Sequence, residues 1–495
     1  MRPLTNQTKW RSASTLLLST SLASAVGLAQ GAVAVTTGAV VTTYDYNSAR
    51  TGHDIVTGTI TGLSTTPAWN KHLDGAVYGE PLLFGGRVLV ATENDSLYAL
   101  DPHNGAVVWH LHVGTAVSTS VIDQATGLSP GCGAINPLGI TGTPVIDPVA
   151  NVIYVAEETM VGATDWHHIR HELVAVSLSS ARVLWTRMID PPHGNTVGGY
   201  TIAALQQRPA LTLANGRVYV NFGGLAGDCG TYHGFVIGVA TNGAGPELVY
   251  QVPTQTEGAI WATNGALVSP TGNLYVDTGN GSSTTNYDGS NAVIELSATL
   301  HLISQWAPTN WATLSAQDWD LGSAGPIFIP GTSLMFVAGK PANGSFGYLI
   351  DSHSLGHGPA SALFTGNVCS DPTQGVFGAD ASVVLNVAGH QKTFIYAACL
   401  SGTEALQVTG GPTPSFSQAW GPISTSSGGP PIVAGGLVWS LDFNNYQLVA
   451  LAPATGYVIF KRSTASLPHF ATPTLGDGLV VIPTLKGVEA FATRP

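Results

Sequence analysis

Short apolar runs, separated by turn residues, recur along most of this chain. Each unit has an aliphatic strand, a turn, a second strand, a glycine and then an aromatic residue. The clearest unit has strands at 88–92 and 97–101, followed by Gly105 and Trp109. The runs are rich in Val, Ile and Tyr and lie between Gly, Pro, Asn and Asp, which is typical of β-strands and turns. Eight units follow one another, anchored at Val90, Val155, Val220, Val276, Val337, Ala397, Ser440 and Ile482.

The spacing of these anchors indicates the architecture. Successive anchors stand 42 to 65 residues apart, which fits four short strands with their turns, the size of one propeller blade. A single blade cannot bury both of its faces, so several blades must pack around an axis. No stretch shows a sustained helical period. The pattern therefore predicts an all-β fold, an eight-bladed β-propeller of four-stranded antiparallel blades.

The two ends of the chain complement each other in this prediction. The last unit, at about 470–491, is too short for four strands, whereas residues 43–69 precede the first full unit and end on Pro67-Ala68-Trp69. We expect this N-terminal segment to supply the missing strand and to close the ring, because closure removes exposed sheet edges that invite aggregation.

The first 34 residues resemble a secretory signal. Arg2, Lys9 and Arg11 give a positive start, residues 15–28 are apolar or small, and Ala32-Val33-Ala34 offers a cleavage site. We predict a signal peptide at 1–34 and a single propeller domain at 35–495, with a retained membrane anchor as the alternative. No later segment is long and apolar enough for a transmembrane span. The expected location is periplasmic, secreted or associated with the outer membrane.

Export makes disulfide bonds possible for the four cysteines, which can pair in three ways. The sequence has no C-x-x-C pair and no haem-attachment motif. We favour Cys369 with Cys399, which come from adjacent stretches, and Cys132 with Cys229, each as a structural bond in an oxidising compartment. Free buried thiols are the alternative.

The charge content is low. Charged residues make up 9% of the chain, against roughly 25% in ordinary soluble domains. The formal net charge of −12 and the absence of a basic stripe exclude a nucleic-acid partner. Near pH 3 most carboxylates become neutral while the 15 histidines become charged. The composition therefore suits a protein that works in acid, although an ordinary secreted protein could share it.

The repeat resembles the blades of the quinoprotein-like (PQQ-like) eight-bladed propellers. The resemblance depends on Ala99-Leu100-Asp101, Gly105 and Trp109 and their counterparts in later units. That group includes quinone-dependent alcohol dehydrogenases and an outer-membrane assembly lipoprotein, so the fold alone does not select a function. This chain lacks the adjacent Cys-Cys pair of the alcohol enzymes, a C-x-x-C-H module and a lipobox cysteine.

Within that group the chain is similar to the exported, acid-adapted tetrathionate hydrolases in length, compartment, composition and one aspartate motif. The resemblance implies hydrolysis of tetrathionate, a small linear dianion, to thiosulfate, sulfur and sulfate, with no cofactor and with a homodimer as a common assembly. A dehydrogenase that uses PQQ and calcium is the alternative enzyme. A non-catalytic binding scaffold of the envelope is the third interpretation.

Candidate site residues lie in Gly-rich polar segments between the blades, because propeller sites form on loops over the central channel. Asp320, in the segment 317–323, stands beside glycines just before an apolar strand. The resemblance implies that Asp320 is the catalytic carboxylate, since a closed site can raise a carboxyl pKa for proton transfer. A turn cap is the alternative role.

Other polar loops offer substrate-binding groups. A protonated His233 can hold a sulfonate by a charge-assisted hydrogen bond, and Arg208 can make a forked contact. The substrate-binding prediction comprises Arg208, His233, Lys340, Trp261 and Asn280, each with a structural role as its alternative. No metal site is predicted: His167-His168-x-x-His171 has no acidic or cysteine partners with metal-ligand spacing. His469 is a lesser candidate for the channel rim.

Overall fold

The computed structural model describes residues 38–192, 199–340, 346–422 and 428–495. The predicted signal peptide at 1–34 lies outside these residues. The described chain forms eight sheets arranged in a ring, antiparallel apart from one short parallel strand pair, which confirms the prediction of an all-β, eight-bladed propeller. The anchors of the sequence repeat fall on the second strand of their blades, except Val220, whose strand follows two shorter strands in its blade.

The strands follow the repeat in chain order. Two short strands come first, β1 (Gly62–Leu63) and β2 (Trp69–His72). Blade 1 contains β3 (Leu82–Phe84), β4 (Arg87–Thr92), β5 (Ser96–Leu100) and β6 (Val107–His112). Blade 2 contains β7 (Val145–Asp147), β8 (Val152–Met160), β9 (Ile169–Ser177) and β10 (Arg182–Met188). Blade 3 contains β11 (Leu205–Gln206), β12 (Thr212–Ala214), β13 (Arg217–Gly224), β14 (Phe235–Ala240) and β15 (Leu248–Gln251).

The second half of the ring continues this order. Blade 4 contains β16 (Leu267–Val268), β17 (Leu274–Asp277), β18 (Val293–Leu296) and β19 (Leu302–Ala307). Blade 5 contains β20 (Ile327–Phe328), β21 (Leu334–Ala338), β22 (Phe346–Asp351) and β24 (Phe364–Asn367), while β23 (His357–Pro359) pairs with β19 of blade 4. Blade 6 contains β25 (Ala381–Val387), β26 (His390–Cys399), β27 (Gly402–Thr409) and β28 (Ser415–Trp420). Blade 7 contains β29 (Ile432–Ala434), β30 (Leu437–Asp442), β31 (Gln447–Leu451) and β32 (Val458–Ser463).

Blade 8 draws strands from both ends of the chain. Strands β33 (Thr474–Gly476), β34 (Leu479–Thr484) and β35 (Gly487–Arg494) form its inner part. The N-terminal β1 and β2 both pair with β35, with Trp69 opposite Ala490. Two short helices lie between blades, α1 (Thr119–Ile122) and α2 (Trp311–Ala316).

Two tryptophans, Trp69 and Trp185, dock on glycine turns of the next blade. A Cβ at Gly105 of blade 1, where φ is +67°, would stand 2.7 Å from the Trp69 ring. The Trp69 Nε1 donates a hydrogen bond of 2.7 Å to the Pro102 carbonyl in the same turn. Trp185 of blade 2 lies equally close to Gly243 of blade 3. Glycine is needed in these turns, since it accepts a positive φ and leaves room for the ring.

A segment at residues 41–54, called here the plug segment, lies along the inner strands of the ring. Tyr44 is fully buried, and its hydroxyl contacts the hydroxyls of Thr263 and Thr472, which come from opposite parts of the ring. Main-chain and side-chain hydrogen bonds join the segment to blades 1, 2, 3, 4, 6, 7 and 8, at Leu83, Ile146, Leu211, Val268, Ser382, Val433 and Leu475.

Both disulfide predictions are confirmed. Cys132 is bonded to Cys229, and Cys369 is bonded to Cys399. In the described ranges no helix is long and apolar enough to cross a membrane.

We predict that the shared sheet of blade 8 closes the ring. Trp69→Ala should then lower the free energy of unfolding by about 3–5 kcal/mol, the usual cost of removing a buried tryptophan side chain. Guanidinium unfolding of the purified protein measures this change. The exposed ring of Tyr457 provides the control, since Tyr457→Ala should change stability by less than about 0.5 kcal/mol. Equal effects of the two substitutions would contradict the prediction.

Candidate functional site

A cavity of about 280 Å³ lies among the loops that lead into the inner strands or leave the second strands. Its lining comes from blades 3, 4, 5 and 8 and includes charged, amide and aromatic side chains. Five of the six residues predicted to act on substrate meet there: Arg208, Trp261, Asn280, Asp320 and Lys340. The structure thus brings together loops that stand more than a hundred residues apart in the sequence.

Asp320 is held by both of its carboxylate oxygens. Oδ1 accepts a hydrogen bond of 2.6 Å from the Asn280 main-chain N–H, and Oδ2 lies 2.9 Å from Lys340 Nζ. A Cβ at Gly279 would stand 2.7 Å from Oδ1, so glycine at this position admits the carboxylate. Asp320 is 5% exposed, and its two bonds fix it at the wall of the cavity.

Lys340 links the two carboxylates of the preceding loop. Its Nζ lies 2.8 Å from Asp318 Oδ1 and 2.9 Å from Asp320 Oδ2. Burial opposes the ammonium charge, but the charges and hydrogen bonds of Asp320 and Asp318 outweigh it and raise the Lys340 pKa. The ammonium also lies 6.0 Å from the centre of the Trp261 ring, within cation–π range.

Arg208 is the second cation of the cavity and has a different environment. Its Cζ lies 4.4 Å above the Phe470 ring, and its Nε has no hydrogen-bond partner among the described residues. Within the same residues no carboxylate lies within ion-pair distance of its guanidinium. Burial lowers the Arg208 pKa to about 10, so the group stays charged in neutral and acidic solution. A half-buried guanidinium with no carboxylate partner favours binding of an anion.

Aromatic rings lie between the two cations. The Trp261 centroid stands 6.3 Å from that of Phe470, and Phe377 stacks on Phe470 at 6.0 Å. One cation therefore contacts each end of a continuous aromatic surface, with Lys340 at Trp261 and Arg208 at Phe470.

The plug segment closes the space beneath Arg208. A void of about 10 Å³ separates Arg208 and Phe470 from Tyr44 and Thr263, which is about the space that one water needs. The cavity therefore ends at Tyr44.

His233 lies in a buried position next to the loop at Gly199. It is not among the residues that line the cavity. Its ring is buried, Nε2 lies 2.7 Å from the Gly199 carbonyl, and burial lowers its pKa. The binding role of His233 therefore stays a prediction.

The remaining histidines of the sequence analysis also find specific partners. His167 and His168 both contact Asp165, while His171 is buried between Asp190 and Glu158. His469 lines the cavity and makes an edge contact with Tyr78. Burial and the nearby Arg208 lower the His469 pKa to about 3.

Sequence analysis missed Phe470, Phe377 and the cavity residue Asp228. A regular signal for the two phenylalanines exists. In four blades an aromatic residue or arginine stands four residues before the innermost strand. These residues are Tyr78 before β3, Arg208 before β12, Phe377 before β25 and Phe470 before β33. Counting back four residues from each inner strand would therefore have marked side chains near the axis.

Buried carboxyl groups lie between blades 1 and 2, behind Arg208. Asp95, Glu93 and Glu157 are each at most 1% exposed, and neither oxygen of Glu157 has a hydrogen-bond partner among the described residues. Burial raises the pKa of Glu93 and of Glu157 to about 8. Burial and the Glu157 charge raise the pKa of Asp95 to about 10. These groups are neutral in acid and must ionise inside the protein at higher pH.

Comparison with known proteins identifies the family of the repeat. The family model PQQ_2, described as outer membrane protein assembly factor BamB, matches residues 2–291. No curated protein sequence matches the chain.

Several solved structures share the fold. Quinohemoprotein alcohol dehydrogenase ADHIIG from Pseudomonas putida HK5 is 14% identical, with 92% of this chain and 80% of that chain covered and a TM-score of 0.61. A europium-containing methanol dehydrogenase is 13% identical, with coverages of 91% and 98% and a TM-score of 0.60. BamB from Moraxella catarrhalis is 11% identical, with coverages of 88% and 100% and a TM-score of 0.54. At these identities the likeness shows the fold alone.

The buried carboxyl groups predict a fold that is more stable in acid. A carboxyl whose pKa is raised on folding stabilises the fold fully below its ordinary pKa, and that contribution is lost as pH rises toward the raised value. The free energy of unfolding should therefore be larger at pH 5 than at pH 8. His469 acts in the opposite sense, because its lowered pKa disfavours the folded state as pH falls. Guanidinium unfolding at the two pH values measures the difference.

Asp95→Asn should raise the free energy of unfolding at pH 8, because the amide cannot ionise. The difference in the free energy of unfolding between pH 5 and pH 8 should therefore become smaller. Asp147→Asn, on the partly exposed end of β7, is the matched control and should leave the difference unchanged. Greater stability of the wild type at pH 8 would show that the buried carboxyl groups do not dominate.

Proposed function

The chain belongs to the PQQ_2 family of β-propellers, described as outer membrane protein assembly factor BamB, and we propose that this member is an exported hydrolase that cleaves tetrathionate in acid. The arrangement of Arg208, Asp320 and Lys340 in one cavity is the observation that supports this function. The location in the cell envelope is part of the proposal and agrees with the two disulfides.

The cavity has the chemistry that a linear dianion needs. Tetrathionate has a sulfonate at each end and two polarisable, uncharged sulfur atoms between them. One sulfonate meets Arg208 and the other meets Lys340, while the central sulfur atoms lie against Trp261 and Phe470. Asn280 and Asp320 stand beside the Lys340 end.

Asp320 is the proton-transfer residue of the proposed reaction. The oxygen of a water molecule bonds to a terminal sulfonate sulfur as the adjacent S–S bond breaks, and the electron pair stays on the departing three-sulfur chain. Asp320 takes a proton from the water and passes it toward the departing chain. That chain then loses one sulfur atom and becomes thiosulfate. One tetrathionate and one water thus give thiosulfate, sulfur, sulfate and two protons.

In acidic solution the net charge of the cavity becomes more positive, which favours the binding of an anion. Asp228 lines the cavity, and burial raises its pKa. Its protonation removes a negative charge while Arg208 and Lys340 remain positive. The proposed reaction therefore has a physical reason to proceed at low pH.

A calcium-bound quinone, the cofactor pair of the alternative dehydrogenase, matches the donor set less well. Calcium takes about six to eight oxygen ligands, but Asn280 N–H and Lys340 already bind the two Asp320 oxygens. In the described residues, the histidine, cysteine and carboxylate group with metal-ligand spacing is Cys369, Cys399 and Glu404, which lies elsewhere and contains a disulfide.

Two assays separate these functions. Purified protein is incubated with tetrathionate at about pH 3, and thiosulfate is measured as it appears. A parallel sample receives PQQ and calcium and is tested for dye reduction with alcohols. The proposal requires turnover in the first assay, and turnover in the second assay alone would replace it with the dehydrogenase.

Asp320→Asn should lower kcat for tetrathionate by about 10²–10⁴-fold, the usual contribution of a positioned proton-transfer group. Asp318→Asn is the matched control. Asp318 binds the same lysine but its side chain is 60% exposed, so its loss should change kcat by less than about threefold. Full activity of Asp320→Asn would remove Asp320 from the mechanism.

Arg208→Gln should raise KM for tetrathionate by about tenfold or more, with a smaller change in kcat, because the guanidinium binds the substrate and the reacting complex alike. Arg187→Gln removes an arginine that pairs with Glu247 outside the cavity and should leave KM unchanged. An unchanged KM for Arg208→Gln would place the substrate elsewhere.

A further inference from the structure

Glu257 lies at the end of a short hydrogen-bonded chain that begins at Asp320. The Asn280 main-chain N–H donates to Asp320 Oδ1 at 2.6 Å, and the Asn280 side-chain Nδ2 donates to Glu257 Oε2 at 3.2 Å. One asparagine therefore holds both carboxyl groups. A change in the charge of Glu257 acts on the side of the cavity where Asp320 and Lys340 lie.

The main chain fixes the position of Glu257. Its N–H donates to the Tyr232 carbonyl at 2.8 Å, and its carbonyl accepts from Thr254 Oγ1 at 2.9 Å. Its φ is +69°, a left-handed value that costs free energy for any residue with a side chain. Glycine would adopt this backbone without strain, so the backbone conformation at this position does not require a glutamate.

Several charged groups face the Glu257 carboxyl from neighbouring loops. They are Asp228 after β13, Asp288 before β18, and Asp318 and Asp320 before β20, with Lys340 as the cation that pairs with the last two. The Tyr232 hydroxyl donates to Asp228, and His233, whose main chain pairs with Glu257, turns its ring toward Gly199. Burial, followed by the charges of Asp228, Asp320, Asp318 and Asp288, raises the Glu257 pKa to about 7.

We propose that Glu257 is a positioning residue that restricts anion binding in the Asp320 cavity to acidic solution. As a neutral acid, Glu257 leaves Arg208 and Lys340 to attract the anion. As a carboxylate, it adds a negative charge that is hydrogen-bonded to Asn280 and repels a dianion. The identity of the substrate rests on the proposed function, but the restriction applies to any dianion with a charged group at each end.

Dithionate is a suitable probe, because it carries two sulfonates and the proposed reaction does not consume it. Calorimetric titration of the full chain with dithionate should give a Kd that rises about tenfold between pH 5 and pH 8, because only about one Glu257 carboxyl group in eleven is neutral one unit above a pKa of about 7. Glu257→Gln should keep the low Kd at pH 8. Glu295→Gln is the control, a partly buried and hydrogen-bonded glutamate of β18, and should behave as the wild type.

A second measurement needs no variant. If binding requires a neutral Glu257, each binding event takes up about half a proton near pH 7, where half of the Glu257 carboxyl groups are ionised, and almost none at pH 5. Calorimetric titrations in buffers of different ionisation enthalpy measure this proton uptake. The same pH dependence in Glu257→Gln as in the wild type, no proton uptake at pH 7, or no dithionate binding at any pH would each overturn the proposal. Dithionate binding without tetrathionate hydrolysis would instead overturn only the proposed function.

Discussion

The burial of charge at the axis of the ring is the constraint on which the candidate site depends. Eight blades bring their lead-in loops to one small space, where a charged side chain has little water around it. Asp320 meets this constraint by pairing with Lys340 and with a main-chain N–H. Arg208 does not, since its guanidinium lies over the Phe470 ring and no carboxylate of the described residues is within ion-pair distance of it. The free energy of burying this cation is offset when an anion occupies the cavity.

The N-terminal plug segment limits how far the cavity extends along the axis. The plug segment spans most blades at their inner strands, and Tyr44 ends the space beneath Arg208. A propeller without such a segment would have an axial channel that is open further along the axis. In this protein the plug segment fills one end of the axis, and the cavity at the other end can take a ligand.

The fold could be predicted from the sequence because each blade is a local unit. The apolar strands, the glycine turn and the tryptophan recur within about sixty residues, and the docking of Trp69 on Gly105 and of Trp185 on Gly243 explains why that pattern repeats. That Asp320, Arg208 and Lys340 line one cavity could be expected in part, because they stand in polar loops next to predicted strands. The plug segment was not found, because it belongs to no repeat and its contacts extend around the ring. The position of His233 depended on the direction in which one loop turns, which spacing does not determine.

A crystal structure of the Asp320→Asn protein, soaked with tetrathionate at about pH 4, tests the central claim most directly. The account predicts one linear anion in the cavity, with a sulfonate within hydrogen-bond distance of Arg208 and the other sulfonate beside Lys340. An empty cavity with the anion bound elsewhere, or a quinone retained between Trp261 and Phe470, would contradict it.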